Sequence, residues 1–179
     1  MRLILICLLF STPLIAQQYY CNNGSVSFFS EAPIENIEAV NNEVSAIVDS
    51  QTGGFAFRLK IEDFTFPNSL MQEHFNESYL ESEKYPLSTF TGSIAGFSEL
   101  DLSKQHNLKV KGELTIHGIS KNTEMIANAQ LKNGNLHISS TFDVVLEDYD
   151  VDIPKIMMYK IAEVIQVVVD MKLQNKNDE

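Results

Sequence analysis

Apolar side chains recur at every second position through most of this chain, and that alternation restricts its fold more than any other feature. Phe55, Phe57, Leu59 and Ile61 interleave with Ala56, Arg58, Lys60 and Glu62. Leu108, Val110, Leu114 and Ile116 interleave with Lys109, Lys111, Glu113 and Thr115. A period of two, rather than 3.6, sets one face of an extended segment against a core and leaves the other in water. An all-β chain is expected.

Turn chemistry divides the alternating stretches. Gln51–Gly54 reads QTGG and separates Val44, Ala46 and Val48 from the Phe55 run, which predicts a hairpin. Asn133-Gly134 is the strongest short-range hairpin signal, joining about 121–131 to about 135–147. Further strands are expected at 25–30, 88–97, 106–118 and 164–173. Between Pro67 and Ser82 the period changes, and Leu70, Met71, Phe75, Tyr79 and Leu80 fall at helical spacing. That segment predicts a short amphipathic helix against the sheet, with a second helical turn from Pro154 to about Glu163. About eight antiparallel strands with one or two short helices can close into a single barrel, which removes exposed edges. At that size the interior is either filled by side chains or holds one ligand.

The first residues are of another kind. MRLILICLLFSTPLIA combines a basic start, an apolar run too short to span a bilayer, and small or helix-breaking residues before Ala16. Residues 1–16 read as a secretory signal peptide and 17–179 as the barrel domain, placing the product in the periplasm or outside the cell. No later segment reads as a membrane span. The 24 acidic and 13 basic residues give a formal charge of −11, which argues against a nucleic-acid partner or an anionic membrane surface. Of the two cysteines only Cys21 lies beyond the signal, so no internal disulfide forms and the core must carry the fold.

Gly112 occupies an apolar-side position where a packed interior would want a larger residue. With Ile119-Ser120 at the centre of the turn, Leu114 faces Met125, Gly112 faces Ala127 and Val110 faces Ala129. With Asn133-Gly134 as the next turn, Ala127 faces Ser140, Ala129 faces Ile138 and Met125 faces Phe142. Both registers keep apolar side against apolar side. They align Gly112, Ala127 and Ser140 in a row of small groups, with Ala129 beside it and bulky Leu114, Met125 and Phe142 toward one end. Such a floor predicts an elongated apolar cavity, because a solid core would be filled to crystal density. With Phe55, Phe57 and Leu59 of the preceding hairpin, these residues are the candidate ligand-binding set.

Four stretches carry a family resemblance: Leu70–Ile94, Gly112–Met125, Phe142–Lys155 and Ile161–Leu173, with Lys84-Tyr85-Pro86 and Gly112-Glu113-Leu114-Thr115 as their most specific elements. In these the chain resembles the YceI-like family of exported, lipid-binding, lipocalin-like barrels. The resemblance implies an extended antiparallel barrel that holds a long isoprenoid or similar amphiphile in an apolar tunnel. Residues 19–54 depart from the family pattern, lacking the long first strand that ends in a histidine.

Chemistry for catalysis is not legible. The four histidines, His74, His106, His117 and His137, have no partner at helical metal-site spacing and no cysteine to complete a zinc set. By strand parity His117 and His137 are expected to face solvent. Neither a G-x-S-x-G elbow nor a phosphate-cradling glycine loop occurs. The acidic loop Glu147, Asp148, Asp150 and Asp152 does not have EF-hand spacing. The expectation is therefore a non-enzymatic binder of a long-chain lipid or isoprenoid without cofactor or metal, against the alternative of a structural or interaction barrel with a filled core. Self-association as a homodimer stays open. Arg58 is the one arginine in 17–179, and few lysines (Lys60, Lys109, Lys111, Lys121) could meet a pyrophosphate, which favours a neutral or weakly charged amphiphile.

Overall fold

The computed structural model describes residues 17–31, 36–153 and 161–176. The signal peptide at 1–16, most of the helical turn assigned to 154–163 and the last residues of the tail lie outside them.

Eight strands close into an antiparallel barrel in chain order, β8 returning to pair with β1. They are β1 Gln18–Ser30, β2 Ile37–Asp49, β3 Gly54–Lys60, β4 Leu87–Ser93, β5 His106–Ile116, β6 Ile119–Lys132, β7 Asn135–Val145 and β8 Val164–Asn175. The all-β barrel read from the alternation is thus the fold. The first strand corrects an expectation: β1 is 13 residues long, not a short run from Ser25. Its alternation is broken at Asn22 and Asn23, which are both exposed, and the register with β2 shifts on either side of Gly24. A bulge there hides the period from a strict odd–even count.

The one α-helix among the described residues, α1 (Ser69–His74), lies in the β3–β4 connection and continues into a wider π turn at Phe75–Tyr79. Asn68 caps it, its Oδ1 accepting from the N–H groups of Leu70 at 2.9 Å and Met71 at 3.4 Å. In an antiparallel meander alternate connections share an end. The helix therefore caps the end of the barrel that carries the β1–β2, β5–β6 and β7–β8 connections.

Register is where the sequence reading needs correction. The β5–β6 turn is centred on His117-Gly118, with φ of 50° and 74°, not on Ile119-Ser120. Left-handed backbone at both central positions is the two-residue turn that matches strand twist. Gly118 is further required by Tyr85, whose ring carbon would stand 2.6 Å from a Cβ placed there. Every β6 partner moves accordingly: Leu108 faces Ala127, Val110 faces Met125, Gly112 faces Thr123 and Leu114 faces Lys121. The β6–β7 register agrees at Ala127–Ser140 and Ala129–Ile138, but the paired stretch ends at Ala127, so no ladder pair joins Met125 to Phe142. The row of small groups across three strands does not form; the row through Ala127 is Leu108, Ala127, Ser140 and Val169.

Gly112 instead faces Gly92 of β4, and Gly92 faces Phe55 of β3. A Cβ on Gly112 would lie 2.8 Å from the Phe90 ring and closer still to the Thr91 carbonyl oxygen; one on Gly92 would lie 2.8 Å from the Phe55 ring. Two opposed glycines let the strands approach closely, and aromatic rings on neighbouring positions cover them. The missing side chain makes room for the protein's own rings.

Candidate functional site: two apolar chambers

Inward-facing residues of all eight strands surround an internal chamber of about 180 Å³. Its walls include Val26 and Phe28 of β1, Val44 and Val48 of β2, Leu108 and Val110 of β5, and Val167, Val169 and Met171 of β8. Of the sequence-derived set, Phe55, Phe57, Leu59, Leu114, Met125, Ala127, Ala129, Ile138, Ser140 and Phe142 all border it, whereas Gly112 does not. The hydroxyls present do not make the wall polar. Ser140 Oγ donates to the Ile126 carbonyl at 2.8 Å, and Ser88 Oγ to the Thr115 carbonyl at 2.7 Å. With both serine hydroxyls bonded to backbone carbonyls, the lining offers a ligand mainly apolar contact.

Under the helix lies a second chamber of about 300 Å³, lined from α1 and its π turn, the end of β1 and the start of β8. Phe28, Phe75, Leu80, Leu146, Val151 and Ile165 border both chambers and form the partition between them. Phe75 is its centre. The ring stacks on Phe28 at 5.6 Å and meets Phe64 at 5.5 Å and Phe66 at 5.0 Å. Contacts of this kind contribute about 0.5–1.5 kcal/mol each beyond area burial. A cavity of roughly 150 Å³ holds a group the size of benzene. An elongated chain therefore needs both chambers joined past Phe75.

Sequence reasoning did not find these partition residues, or Phe90, Ile94 and Met171. Parity marks the strand residues among them, Phe28, Phe90, Ile165 and Met171, as inward, whereas Phe75, Leu80, Ile94, Leu146 and Val151 lie off the strands; only closure of the barrel decides which of these side chains meet.

His117 is also placed differently from its expected solvent-facing position. Being in the turn rather than on a strand face, its side chain is only 10% exposed. Nε2 stands 2.9 Å from Glu81 Oε2 and Nδ1 3.1 Å from the Tyr149 carbonyl, while the Tyr85 ring meets it edge-on at 4.5 Å. It ties three segments together at the helix end of the barrel, two of which bring Leu80 and Leu146 to the partition. A His-Gly dipeptide between alternating runs was the available signal, since His tolerates positive φ better than most residues.

The cysteine among the described residues is not prepared as a nucleophile. Cys21 is buried, its thiol donating to the Val44 carbonyl at 3.9 Å, and burial pushes its pKa up. A raised pKa disfavours the reactive thiolate. Among the described residues no group of three or more His, Cys, Asp or Glu could hold a metal ion. Nor is any helix among them long and apolar enough to cross a membrane.

Comparison with known proteins places this architecture. A polyisoprenoid binding domain from Saccharophagus degradans, implicated in plant cell wall breakdown, matches with a TM-score of 0.77 at 13% identity, over 90% of this chain and 99% of its own. BcnA from Burkholderia cenocepacia matches with 0.70 at 16% identity, over 84% and 95%. The Campylobacter jejuni YCEI protein matches with 0.61 at 18% identity, over 82% and 88%. At such identities these likenesses concern the fold. The comparison with curated proteins found no match. A family model, the YceI-like domain, matches residues 21–173, and with most of its length so covered this chain belongs to the YceI-like family.

Proposed function

We propose that this protein is an exported, non-enzymatic lipid binder that holds one elongated apolar ligand, of isoprenoid or fatty-acyl type, inside the barrel. The observation that carries the reading is the inner chamber. Its walls come from every strand, and the two serine hydroxyls on them already have partners. Binding would be driven by removal of the ligand chain from water, at roughly 25 cal/mol per Å² of apolar area. The family supports this, as does the polyisoprenoid-binding relative from Saccharophagus degradans. Export rests on the pattern of residues 1–16 and leaves 17–179 as the mature chain. The other reading, a structural or interaction barrel with a filled core, accounts less well for a chamber that protein atoms leave open.

Retinol is a suitable probe, because its fluorescence rises in apolar surroundings and the chain contains no tryptophan. Saturable uptake of about one molecule per chain is expected. Extraction of protein purified from its native host should yield a long-chain lipid by mass spectrometry. An absence of both would favour the filled-core barrel.

A further inference from the structure

The two chambers differ in what their walls offer. The second is bordered by His74 and Tyr79 as well as by apolar residues. The acceptor oxygens of its other polar residues are engaged: Asn68 Oδ1 caps α1, and Ser30 Oγ accepts the Ala162 N–H at 2.9 Å. Neither the His74 imidazole nor the Tyr79 hydroxyl has a hydrogen-bond partner among the described residues. Burial raises the Tyr79 pKa, so the phenol keeps its proton as a donor. The chamber reaches the surface at Leu70, which is 55% exposed, and at His74.

Among the described residues, no Lys, Arg, Asp or Glu borders the second chamber. Among the described residues, the four lysines named above as able to meet an anion are engaged elsewhere. Lys109 and Lys111 share Glu124, Lys121 pairs with Asp148, and Lys60 lies 3.3 Å from Glu62. Arg58 borders the inner chamber from an exposed position on β3, not the second one. Glu73 and Glu77 flank His74 on the same helical segment, in a chain of formal charge −11. A phosphate or pyrophosphate brought here would meet these two carboxylates, and no lysine or arginine of the described residues borders the chamber to offset them.

Resting on the lipid-binding reading above, we infer that the second chamber is a headgroup subsite. It selects an uncharged group bearing a hydrogen-bond acceptor, such as an alcohol or carbonyl, which His74 and Tyr79 recognise while the tail passes Phe75 into the inner chamber. The tail supplies affinity. The two polar side chains, on the segment that caps the barrel, set which amphiphile is held and which end of it points outward.

Competition against bound retinol tests this with three ligands of one tail: geranylgeraniol, geranylgeranyl pyrophosphate and the parent hydrocarbon. The alcohol should bind at least about tenfold more tightly than the pyrophosphate, a ratio within reach of a single polar subsite. Tyr79→Phe and His74→Ala, which remove polar groups without touching the partition, should each weaken the alcohol about threefold or more and leave the hydrocarbon unchanged. Leu70→Lys, which sets a cation at the rim, should tighten the pyrophosphate about fivefold. Equal binding of alcohol and pyrophosphate by the unaltered protein would overturn the inference, as would variants that weaken alcohol and hydrocarbon alike. Failure of all three ligands and of retinol would overturn the lipid-binding reading instead.

Discussion

Asn41 is completely buried on β2, where its Nδ2 donates to the Lys60 carbonyl at 2.8 Å and its Oδ1 accepts the Glu43 N–H at 2.9 Å. One amide thus satisfies backbone groups at the end of β3 and within β2, beyond the last β2–β3 ladder pair at Ser45–Arg58. Asn41→Ala should cost about 1–3 kcal/mol, because it leaves a donor and an acceptor unpaired. Urea denaturation measures it; a loss below about 0.5 kcal/mol would mean that water replaces the amide. Cys21 makes a pH-dependent contribution. Burial raises its pKa in the folded chain, so folded and unfolded forms bind the proton equally at neutral pH and the contribution is fully present there. As pH rises through the ordinary thiol range, from about 7.5 to about 10, the unfolded thiol ionises first and stability falls. Cys21→Ala should flatten that part of the stability–pH curve relative to the unaltered protein. Parallel curves for the two proteins would show that the thiol is not the cause.

At the scale of elements, β4 and β5 meet at the opposed Gly92 and Gly112, where the Phe55 and Phe90 rings cover the backbone. A methyl group on Gly112 has no free volume to enter. Gly112→Ala should therefore destabilise the barrel by about 1–3 kcal/mol through overpacking. Retinol uptake by the folded fraction should stay within about twofold, since Gly112 lies outside both chambers. Lost uptake at full stability would return Gly112 to the ligand site. The neighbouring β5–β6 turn explains why its register was not legible. Moving the turn from Ile119-Ser120 to His117-Gly118 changes each pairing by an even number of residues, which keeps every side chain on its own face. Hydrophobic pattern is blind to such a shift, and turn conformation decides it. At β6–β7, Asn133-Gly134 takes φ of 50° and 80°, and the register read from that dipeptide is the one observed.

The whole molecule is a barrel whose interior is divided, not a uniform tube. Ala127→Phe should fill much of the inner chamber and weaken retinol uptake about tenfold or more. Stability should change by less than about 1.5 kcal/mol, because the added ring enters space already open. Uptake unchanged in a folded variant would place the ligand elsewhere. Ten of the eleven residues expected to bind ligand border one chamber, although the row argued to unite them does not exist. Parity was right where register was wrong. A strand's inward face is a local property, written in alternation that survives any even slip. Strand number, the all-β class and the apolar face were legible for that reason. Which inward groups meet across the closed sheet depends on turn geometry, on the β1 bulge and on the β1–β8 seam. The partition at Phe75 depends in addition on a helix folding back over one end. Those are contacts between residues far apart in the chain, and only tertiary packing decides them.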